Sequence, residues 1–318
     1  MSKTLVLGAN GFIGSHLVDG LARDGHEVRA YGRFGSAEPN FNTDPNVEIF
    51  SGDYLNAGQL QEALKDIEYV FHFLSTTTPA TSENDPAVDI NTNVRASVEL
   101  LQLCVDADVK RVLFASTGGA IYGEGSGEAR PHVETDPTLP VSPYAIGKLA
   151  IENYLRYFKV KHGLESTAFR ISNPYGERQP FHRKQGVVPI FLENIYRDQP
   201  ITVYGDGSMV RDYIYVKDLV DMIKGVFSED DLKDVYNMGS GKGTTINELI
   251  QIAEMVTGKK PEVIKKPTPS TFLQDVVLNT DKFAEDFHIQ PTTSLEVGMR
   301  ATYEYIKNEI QSLELGKS

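Results

Sequence analysis

Two side chains near the middle of the chain have the types and the spacing of an acid–base pair. Tyr144 and Lys148 lie four residues apart in the stretch Ser-Pro-Tyr-Ala-Ile-Gly-Lys that begins at Ser142. Ser142 is a typical helix N-cap and Pro143 suits the first helical position, so both side chains should leave the same face of one helix. A free phenol has a pKa near ~10, and a neighbouring ammonium favours its ionised form. The pair is therefore predicted to take a proton from a substrate hydroxyl.

Two hydroxyl side chains are further catalytic candidates. Ser116 and Thr117 follow a buried strand predicted at residues 111–115. A hydroxyl at the carboxyl end of a strand in a parallel sheet points into the crevice where such sheets bind ligands. Either side chain could then donate to, or relay a proton from, a substrate oxygen beside Tyr144. A simple Ser/Thr turn is the alternative interpretation.

The N-terminal segment predicts the class of cofactor. A buried strand at residues 4–7 leads into Gly8-Ala9-Asn10-Gly11-Phe12-Ile13-Gly14, after which apolar residues recur at helical spacing. This order of strand, glycine loop and helix is the context that a dinucleotide site requires. Gly8 permits the tight turn, Gly11 the approach of the pyrophosphate, and Gly14 the packing of helix on strand. The start of the helix then offers N–H groups to the phosphates.

The residues after the next two strands bear on which dinucleotide is bound. A strand at 27–31 ends at Gly32-Arg33, where NAD sites usually carry a carboxylate for the adenosine ribose. Arg33 could pair with a 2′-phosphate, so NADP stays open beside NAD, as does a solvated position for Arg33. Asp53, after a strand at 47–50, is placed to meet the adenine edge.

Composition restricts the partners. The 318 residues carry a formal net charge of −13, which argues against nucleic acid or an anionic membrane as partner. The single cysteine, Cys104, fits a reducing compartment, and the chain starts on a strand with no signal sequence or apolar run of membrane length, so a cytoplasmic protein is expected. His72 lies in an apolar run as a core histidine, and no metal is predicted.

The motifs in their order resemble those of extended short-chain dehydrogenase/reductases. The most similar branch is the NAD-dependent epimerase/dehydratase family of UDP-glucose 4-epimerase type. The motifs that carry the resemblance are the glycine loop from Gly8, Gly52-Asp53, Val70-Phe71-His72, Asn93-Val94, Ser116-Thr117, Tyr122-Gly123, Tyr144 with Lys148, Arg170 with Asn173 and Tyr175-Gly176, Gly186 to Pro189, Tyr204 to Gly207, Arg211 to Tyr213, and Asn237 to Gly241.

The resemblance implies an α/β fold with a Rossmann-type doubly wound parallel sheet and a smaller mixed α/β C-terminal substrate domain. Residues 1–172 would form the dinucleotide-binding domain, with part of 207–240 returning to it, and residues 173–318 the nucleotide-sugar domain. A homodimer is implied through helices at 88–106 and 143–161. Its apolar contacts, which the core could equally claim, would be Ile151, Tyr154, Leu155 and Phe158.

The resemblance also assigns residues to ligands. The residues expected at the cofactor NAD are Gly8, Asn10, Gly11, Phe12, Ile13, Gly14, Arg33, Asp53, Tyr54, Leu74, Ser75, Asn93, Tyr144 and Lys148. Those expected at a UDP-linked sugar are Thr117, Asn173, Val188, Tyr204, Arg211 and Asp275. Tyr204 would border the uracil, and Asn173 and Arg211 would hold the diphosphate.

One departure from the family concerns the diphosphate. Family members usually carry an Arg-x-x-Asp pair where this chain has Thr271 to Asp275, so the arginine is missing and Asp275 is the acid shifted by one place. The diphosphate contact would then fall to Arg211 and to a cationic loop. That loop contains Arg178, His182, Arg183 and Lys184.

The residues after Thr117 select the reaction within the family. Dehydratases and decarboxylases place Asp or Glu there, whereas this chain has Gly118 and Gly119. Epimerisation is therefore expected: Tyr144 takes the proton of the sugar 4-hydroxyl as hydride passes to the nicotinamide, and the transient 4-keto sugar rotates and takes the hydride back on its other face. The alternatives are an NADP-dependent keto-sugar-nucleotide reductase, suggested by Arg33, and a non-catalytic dinucleotide-binding subunit.

Overall fold

The structure is a computed structural model that describes residues 2–35, 38–123, 130–180, 186–269 and 273–315. Its strands are β1 (Lys3–Leu7), β2 (Glu27–Gly32), β3 (Val47–Ser51), β4 (Tyr69–His72), β5 (Arg111–Thr117), β6 (Glu165–Ile171), β7 (Asn173–Tyr175), β8 (Ile201–Tyr204), β9 (Val210–Tyr215), β10 (Val235–Met238), β11 (Gly243–Thr245), β12 (Val263–Lys266) and β13 (Asp275–Val276). Its helices are α1 (Phe12–Arg23), α2 (Ala57–Ala63), α3 (Pro79–Ser82), α4 (Pro86–Asp89), α5 (Arg95–Asp106), α6 (Pro143–His162), α7 (Val187–Tyr196), α8 (Val216–Val226), α9 (Ile246–Thr257), α10 (Asp281–Phe287) and α11 (Leu295–Leu315), with a π-helical turn at Ile90–Val94.

A seven-stranded parallel sheet forms the centre of the fold, in the order β10-β6-β5-β4-β1-β2-β3. Alternate residues of β1 point to opposite faces, so Val6 joins one apolar cluster with α1 and α8, while Leu5 and Leu7 join another with α2, α5 and α6. Helices on both faces make this the doubly wound α/β fold predicted from the sequence. The strand order reverses beside β1, and such a reversal opens a crevice at the carboxyl ends of the strands.

The second half of the chain builds a separate apolar cluster. Strands β11, β9 and β13 form a small sheet in which β7 also pairs with β9, and β8 pairs with β12. Helices α7, α9 and α11 pack their apolar faces together there. Strand β10 returns to the central sheet beside β6. The division of the chain at residue 172 stays a prediction.

Four sequence expectations about local structure need correction. The apolar run at residues 69–74 indicates a strand through Leu74, and the polar stretch at 76–86 indicates a loop. In the structure β4 ends at His72, and the short helix α3 lies within that polar stretch. The long helix expected from residue 90 is interrupted at its start by the π-helical turn, which periodicity alone does not reveal. Three of the side chains expected at a dimer contact belong to the core under α6: Ile151, Leu155 and Phe158.

Helix ends follow their capping residues closely. The Thr245 hydroxyl accepts from the Glu248 backbone N–H at 3.1 Å, and the Glu248 carboxylate accepts from the Thr245 N–H at 2.8 Å, which is the capping box predicted for α9. Gly258 ends this helix in the left-handed conformation. No helix in the described ranges combines the length and the apolar character needed to cross a membrane.

We expect Thr245→Ala to lower the free energy of unfolding by about 1 kcal/mol, because the Glu248 N–H in the first turn of α9 loses the hydroxyl that accepts from it. Urea denaturation measures the change. Gln251→Ala, exposed on the same helix, is the control and should leave stability unchanged. Equal losses in the two variants would contradict the capping role.

Candidate active site

Helix α6 carries Tyr144 and Lys148 as the sequence predicted. The Ser142 hydroxyl caps the helix by accepting from the Ala145 N–H at 3.3 Å, and Pro143 occupies the first position. The backbone N–H of Tyr144 donates to the Ser82 hydroxyl at 3.2 Å, which ties α6 to α3. Lys148 Nζ lies 5.6 Å from the centre of the Tyr144 ring. The two side chains therefore share one face at one end of the central sheet.

Lys148 is buried against strand β5. Its Nζ donates to the Ala115 carbonyl at 2.8 Å and lies 4.6 Å from the centre of the Phe114 ring. Burial lowers the pKa of Lys148 to about 8, while the carboxylates of Asp89 and Glu152 act in the opposite direction. The ammonium is therefore held next to the phenol but is easier to deprotonate than an exposed lysine.

The Tyr144 phenol is less acidic than an exposed tyrosine. Burial raises the pKa of Tyr144 to about 12, and the negative charge of Asp89 adds to the rise. The sequence argument expected the ammonium to favour the phenolate, whereas in the protein alone burial and Asp89 both shift the pKa of the phenol upwards. A further positive charge on the ligand side is needed to bring the phenol into use at neutral pH.

The two hydroxyls at the end of β5 face opposite ways. Thr117 is the last residue of the strand and is half-buried. Ser116 is buried, and its hydroxyl donates to Glu152 Oε1 at 2.5 Å. Glu152 Oε2 in turn accepts a hydrogen bond from Arg170 Nη2 at 2.8 Å. Because side chains alternate along a strand, the Ser116 hydroxyl belongs to a buried ion-pair network and Thr117 does not. The catalytic role of Ser116 stays a prediction.

The glycines of the loop leave space that the side chain of any other residue would fill. Gly8 has a φ of +86°, and its N–H donates to the Tyr31 carbonyl at 3.1 Å. A Cβ at Gly14 would lie 2.1 Å from the Gly8 carbonyl oxygen. Helix α1 begins at Gly11 with no described side chain capping it, so its first N–H groups face the crevice. The loop thus fits the pyrophosphate of a dinucleotide.

The neighbours of these glycines offer backbone rather than side-chain contacts. The Asn10 side chain accepts from the Asn40 N–H at 2.7 Å and so holds the segment after Arg33. Phe12 makes an edge contact with His16, and Ile13 packs against the core. These positions stay predicted cofactor contacts.

The end of β2 and the residues after β3 would flank the adenosine. Arg33 is exposed, which leaves it accessible to a ligand but gives it no described role in the fold. Asp53 is exposed as well, although its Oδ1 accepts from the Leu55 N–H at 3.0 Å. Tyr54 is only 4% exposed, and its hydroxyl lies 3.1 Å from Ser97 Oγ. The Tyr54 side chain is therefore occupied in the core, and a cofactor contact by this residue stays a prediction.

The loop after β4 is held by Asn93. Leu74 is half-buried and Ser75 exposed, with the Ser75 hydroxyl donating to the Thr77 carbonyl at 2.8 Å. Asn93 Oδ1 accepts from the Thr76 N–H at 2.9 Å, and its Nδ2 donates to Thr77 Oγ1 at 2.8 Å. Asn93 was predicted to bind the cofactor, but both polar atoms of its side-chain amide form hydrogen bonds with this loop. Any contribution to the cofactor site is therefore through the loop.

His72 is a core residue, as the sequence predicted. Its Nε2 lies 2.8 Å from Ser97 Oγ and 3.2 Å from the Tyr54 hydroxyl. Burial lowers the pKa of His72 to about 3, so the ring is neutral. Across the described ranges, no three His, Cys, Asp or Glu side chains are grouped so that they could hold a metal ion.

Residues from the second half border the other side of the crevice. Asn173 Nδ2 donates to the Asp212 carbonyl at 2.9 Å, and a Cβ on Gly119 would lie 4.0 Å from Asn173 Oδ1. Val188 is buried in the first turn of α7, so only its backbone can meet a ligand. Tyr204 ends β8 with 37% of its surface exposed.

The cationic residues expected at the diphosphate already have partners. Arg211 donates to the carbonyls of Leu273 and Val210, each at 2.7 Å. Arg178 pairs with Asp19 at 2.7 Å. Asp275 is exposed at the start of β13, next to Val210 in the sheet register. His182, Arg183, Lys184, Thr271 and Phe272 lie outside the described residues.

Two features of the site were missed from the sequence. Asp89 is a buried carboxylate next to α6, and the Glu152–Arg170 pair lies beneath the helix. Glu152 and Lys148 are four residues apart, which is a readable signal for one helix face. The position of Asp89 depends on the π-helical turn and carries no such signal.

The fold and the site together define a dinucleotide-binding enzyme of Rossmann type with a tyrosine–lysine pair. The family model described as the NAD dependent epimerase/dehydratase family matches residues 4–239, and the chain belongs to that family.

Individual relatives match along almost the whole length. The UDP-glucose 4-epimerase of Mycolicibacterium smegmatis is 33% identical over 317 residues, covering 97% of this chain and 100% of the relative. The crystal structure of the Thermotoga maritima UDP-glucose 4-epimerase with UDP-glucose superimposes with a TM-score of 0.91 at 36% identity, covering 97% of this chain and 99% of that one. The Thermus thermophilus UDP-glucose 4-epimerase in complex with NAD gives a TM-score of 0.88 at 33% identity, covering 96% and 99%.

Gly14→Ala should weaken NAD binding by about tenfold or more and lower stability by about 1 to 3 kcal/mol, because the methyl group meets the Gly8 backbone and forces the loop apart. Calorimetric titration with NAD and urea denaturation measure the two effects. Gly58→Ala is the matched control, since a Cβ there would meet only Asn56 Oδ1 at 3.4 Å. Unchanged NAD affinity in Gly14→Ala would contradict the assignment of the loop.

Proposed function

We propose that the protein is an NAD-dependent epimerase that inverts C4 of a UDP-hexose or UDP-N-acetylhexosamine. The single observation that carries the proposal is the Tyr144–Lys148 pair on α6, which lies beside the end of β5 with Thr117 and shares the crevice with the glycine loop. The named activities of the similar epimerases support it.

The residues after Thr117 favour epimerisation over elimination of water or carbon dioxide. A Cβ at Gly118 would lie 2.4 Å from Leu278 Cδ1 and 2.9 Å from the Arg170 carbonyl. An acidic side chain at this position therefore has no room, quite apart from its absence in the sequence. Of the described groups near the sugar, only the hydroxyl of Thr117 and the Tyr144–Lys148 pair remain to move a proton.

Each residue of the pair has a distinct task in this proposal. Bound NAD supplies a hydride acceptor and the positive charge that favours ionisation of a nearby phenol. Tyr144 removes the proton of the sugar 4-hydroxyl and later returns it. Lys148 stabilises the phenolate, and Thr117 orients the sugar oxygen.

The rest of the substrate falls to the second half of the chain. We assign the uracil to Tyr204, the diphosphate to Asn173, Arg211 and the backbone at Val188, and the ribose to Asp275. The exposed end of β8 and the position of Asn173 beside Gly119 support this arrangement. Cys104 is buried and unpaired, which suits the reducing conditions of a cytoplasm.

Purified protein should interconvert UDP-glucose and UDP-galactose, or their N-acetyl forms, without added reductant. Tyr144→Phe should lower kcat by about 10²- to 10⁴-fold while NAD still binds, because the base is lost but the ring is kept. The control is Tyr154→Phe on the same helix, where the side chain is 41% exposed. Stoichiometric use of NADPH, or full activity of Tyr144→Phe, would refute the proposal.

We further propose a homodimer built on the outer faces of α6 and of the helical segment at residues 88–106. Several apolar side chains of this surface remain exposed although the core has taken Ile151, Leu155 and Phe158. They are Val88, Ile90, Ile146, Tyr154, Tyr157 and Val160. Several exposed apolar side chains on neighbouring helices are typical of an isologous contact between two copies.

Ile146→Glu should convert the dimer into a monomer, because it places a charge in the middle of an apolar contact. Light scattering after size-exclusion chromatography gives the mass. Val297→Glu is a matched control, since Val297 is 60% exposed on α11 away from this surface. A wild-type monomer, or an Ile146→Glu dimer, would contradict the proposed contact.

A further inference from the structure

Asp89 is a buried carboxylate that the proposed reaction does not use directly. It ends α4 and is 2% exposed. Its Oδ1 accepts hydrogen bonds from the Thr77 hydroxyl and from Asn93 Nδ2, the latter at 2.8 Å. Because Asn93 also accepts from the Thr76 N–H at 2.9 Å, the loop after β4 and the π-helical turn together hold the carboxylate in one orientation.

The second oxygen of this carboxylate faces the catalytic helix. Asp89 Oδ2 is buried and has no hydrogen-bond partner among the described residues. A Cβ at Gly147 would lie 2.0 Å from this oxygen, so only glycine leaves room for it. Gly147 stands between Tyr144 and Lys148 in the helix. An unpaired carboxylate oxygen is costly to bury, and a cation nearby lowers that cost.

We infer that Asp89 is a positioning residue whose carboxylate keeps the Lys148 ammonium protonated beside Tyr144. The importance of that charge for catalysis rests on the proposed function, whereas the electrostatic coupling between the two side chains does not. Gly147 allows the coupling because it lets the carboxylate approach the backbone of α6 at the residue next to Lys148.

The other groups around Lys148 leave this task to Asp89. Strand β5 contributes the Ala115 carbonyl and the Phe114 ring, neither of which is ionised. On β4, His72 is neutral because burial lowers its pKa to about 3. The remaining ionisable group on the same face of α6, apart from Tyr144, is Glu152.

Glu152 is already engaged elsewhere. Its two oxygens accept hydrogen bonds from Arg170, Oε1 from Nε at 3.2 Å and Oε2 from Nη2 at 2.8 Å. Oε1 also accepts a hydrogen bond from the Ser116 hydroxyl. The charge of this carboxylate is thus largely neutralised by Arg170. Asp89, which forms no ion pair among the described residues, opposes the effect of burial on the pKa of Lys148 more than Glu152 does.

Removal of the Asp89 charge should change the pKa values of its neighbours in a defined direction. Asp89 raises the pKa of both Lys148 and Tyr144, so its neutralisation should lower both values. Lys148 then loses its proton at lower pH, and less ammonium remains to support the phenolate. A purely structural role of Asp89 would reduce activity without moving either titration.

The test is a titration of Lys148 in the full protein labelled with ¹³C- and ¹⁵N-lysine. The Cε resonance is assigned by its absence in Lys148→Met and followed by NMR from neutral to alkaline pH. In wild type we expect a midpoint near pH 8. In Asp89→Asn the midpoint should fall by about one pH unit. The alkaline limb of kcat/KM should move in the same direction.

Two further variants keep the result interpretable. Asp85→Asn removes an exposed carboxylate at the start of α4, where asparagine still caps, and should leave the Lys148 midpoint unchanged. Asp89→Ser removes the charge with a smaller side chain and retains a hydroxyl for Asn93, so it serves if Asp89→Asn does not fold. It should give the same fall in midpoint.

An unchanged Lys148 midpoint in the folded Asp89 variants, or an equal shift in Asp85→Asn, would overturn the inference. The titration needs no turnover, so its result is separate from that of the epimerase assay. A shifted midpoint in a protein that does not epimerise any UDP-hexose would uphold the coupling and refute only the proposed function.

Discussion

The buried ammonium of Lys148 is the constraint on which the site depends. Its hydrogen bond to the Ala115 carbonyl joins helix α6 to strand β5 and thereby sets where Tyr144 can lie. Burial disfavours the charged form, yet the chemistry needs the charge beside the phenol. The protein meets both demands by surrounding Lys148 with a carbonyl dipole, an aromatic face and two carboxylates, Asp89 and Glu152. Without the two carboxylates the pKa of Lys148 would lie lower still.

Close approaches at three glycines bring the parts of this site together. Gly14 lets α1 approach the Gly8 carbonyl, Gly147 admits Asp89 to the catalytic helix, and Gly118 lets the chain after β5 pass between Leu278 and the Arg170 carbonyl. In each case a methyl group would collide with backbone or with a side chain that the core holds in place. The cofactor loop, the catalytic helix and the sugar side of the crevice are thus positioned by the absence of side chains.

The sequence predicts those features that depend on local pattern. The cap at Ser142, the capping box at Thr245 and the bounds of β6 follow from residue type and period, and the structure has them. The sequence does not predict which way a side chain points when its residue type suits both the core and a surface. Ser116 and Thr117 are equal candidates until the position of β5 in the sheet shows that Ser116 faces the core. Ile151 and Leu155 are likewise compatible with an interface and with a core. Asp89 is recognised only once the π-helical turn and the chain beyond β4 are placed together.

Binding of the substrate diphosphate requires an acidic protein to hold a negatively charged group, whereas at Lys148 the protein must hold a buried positive charge. The protein carries a formal net charge of −13, and the two arginines expected at the phosphates are engaged, Arg178 with Asp19 and Arg211 with backbone carbonyls. Recruiting either arginine would require these bonds to break, which offsets part of the gain from a charge-assisted contact. Backbone N–H groups at the start of α7, which follows Gly186 and has no described side-chain cap, carry no such cost. Binding of the anionic substrate is then expected to depend more on oriented main-chain dipoles and less on ionic strength than a lysine-rich surface would.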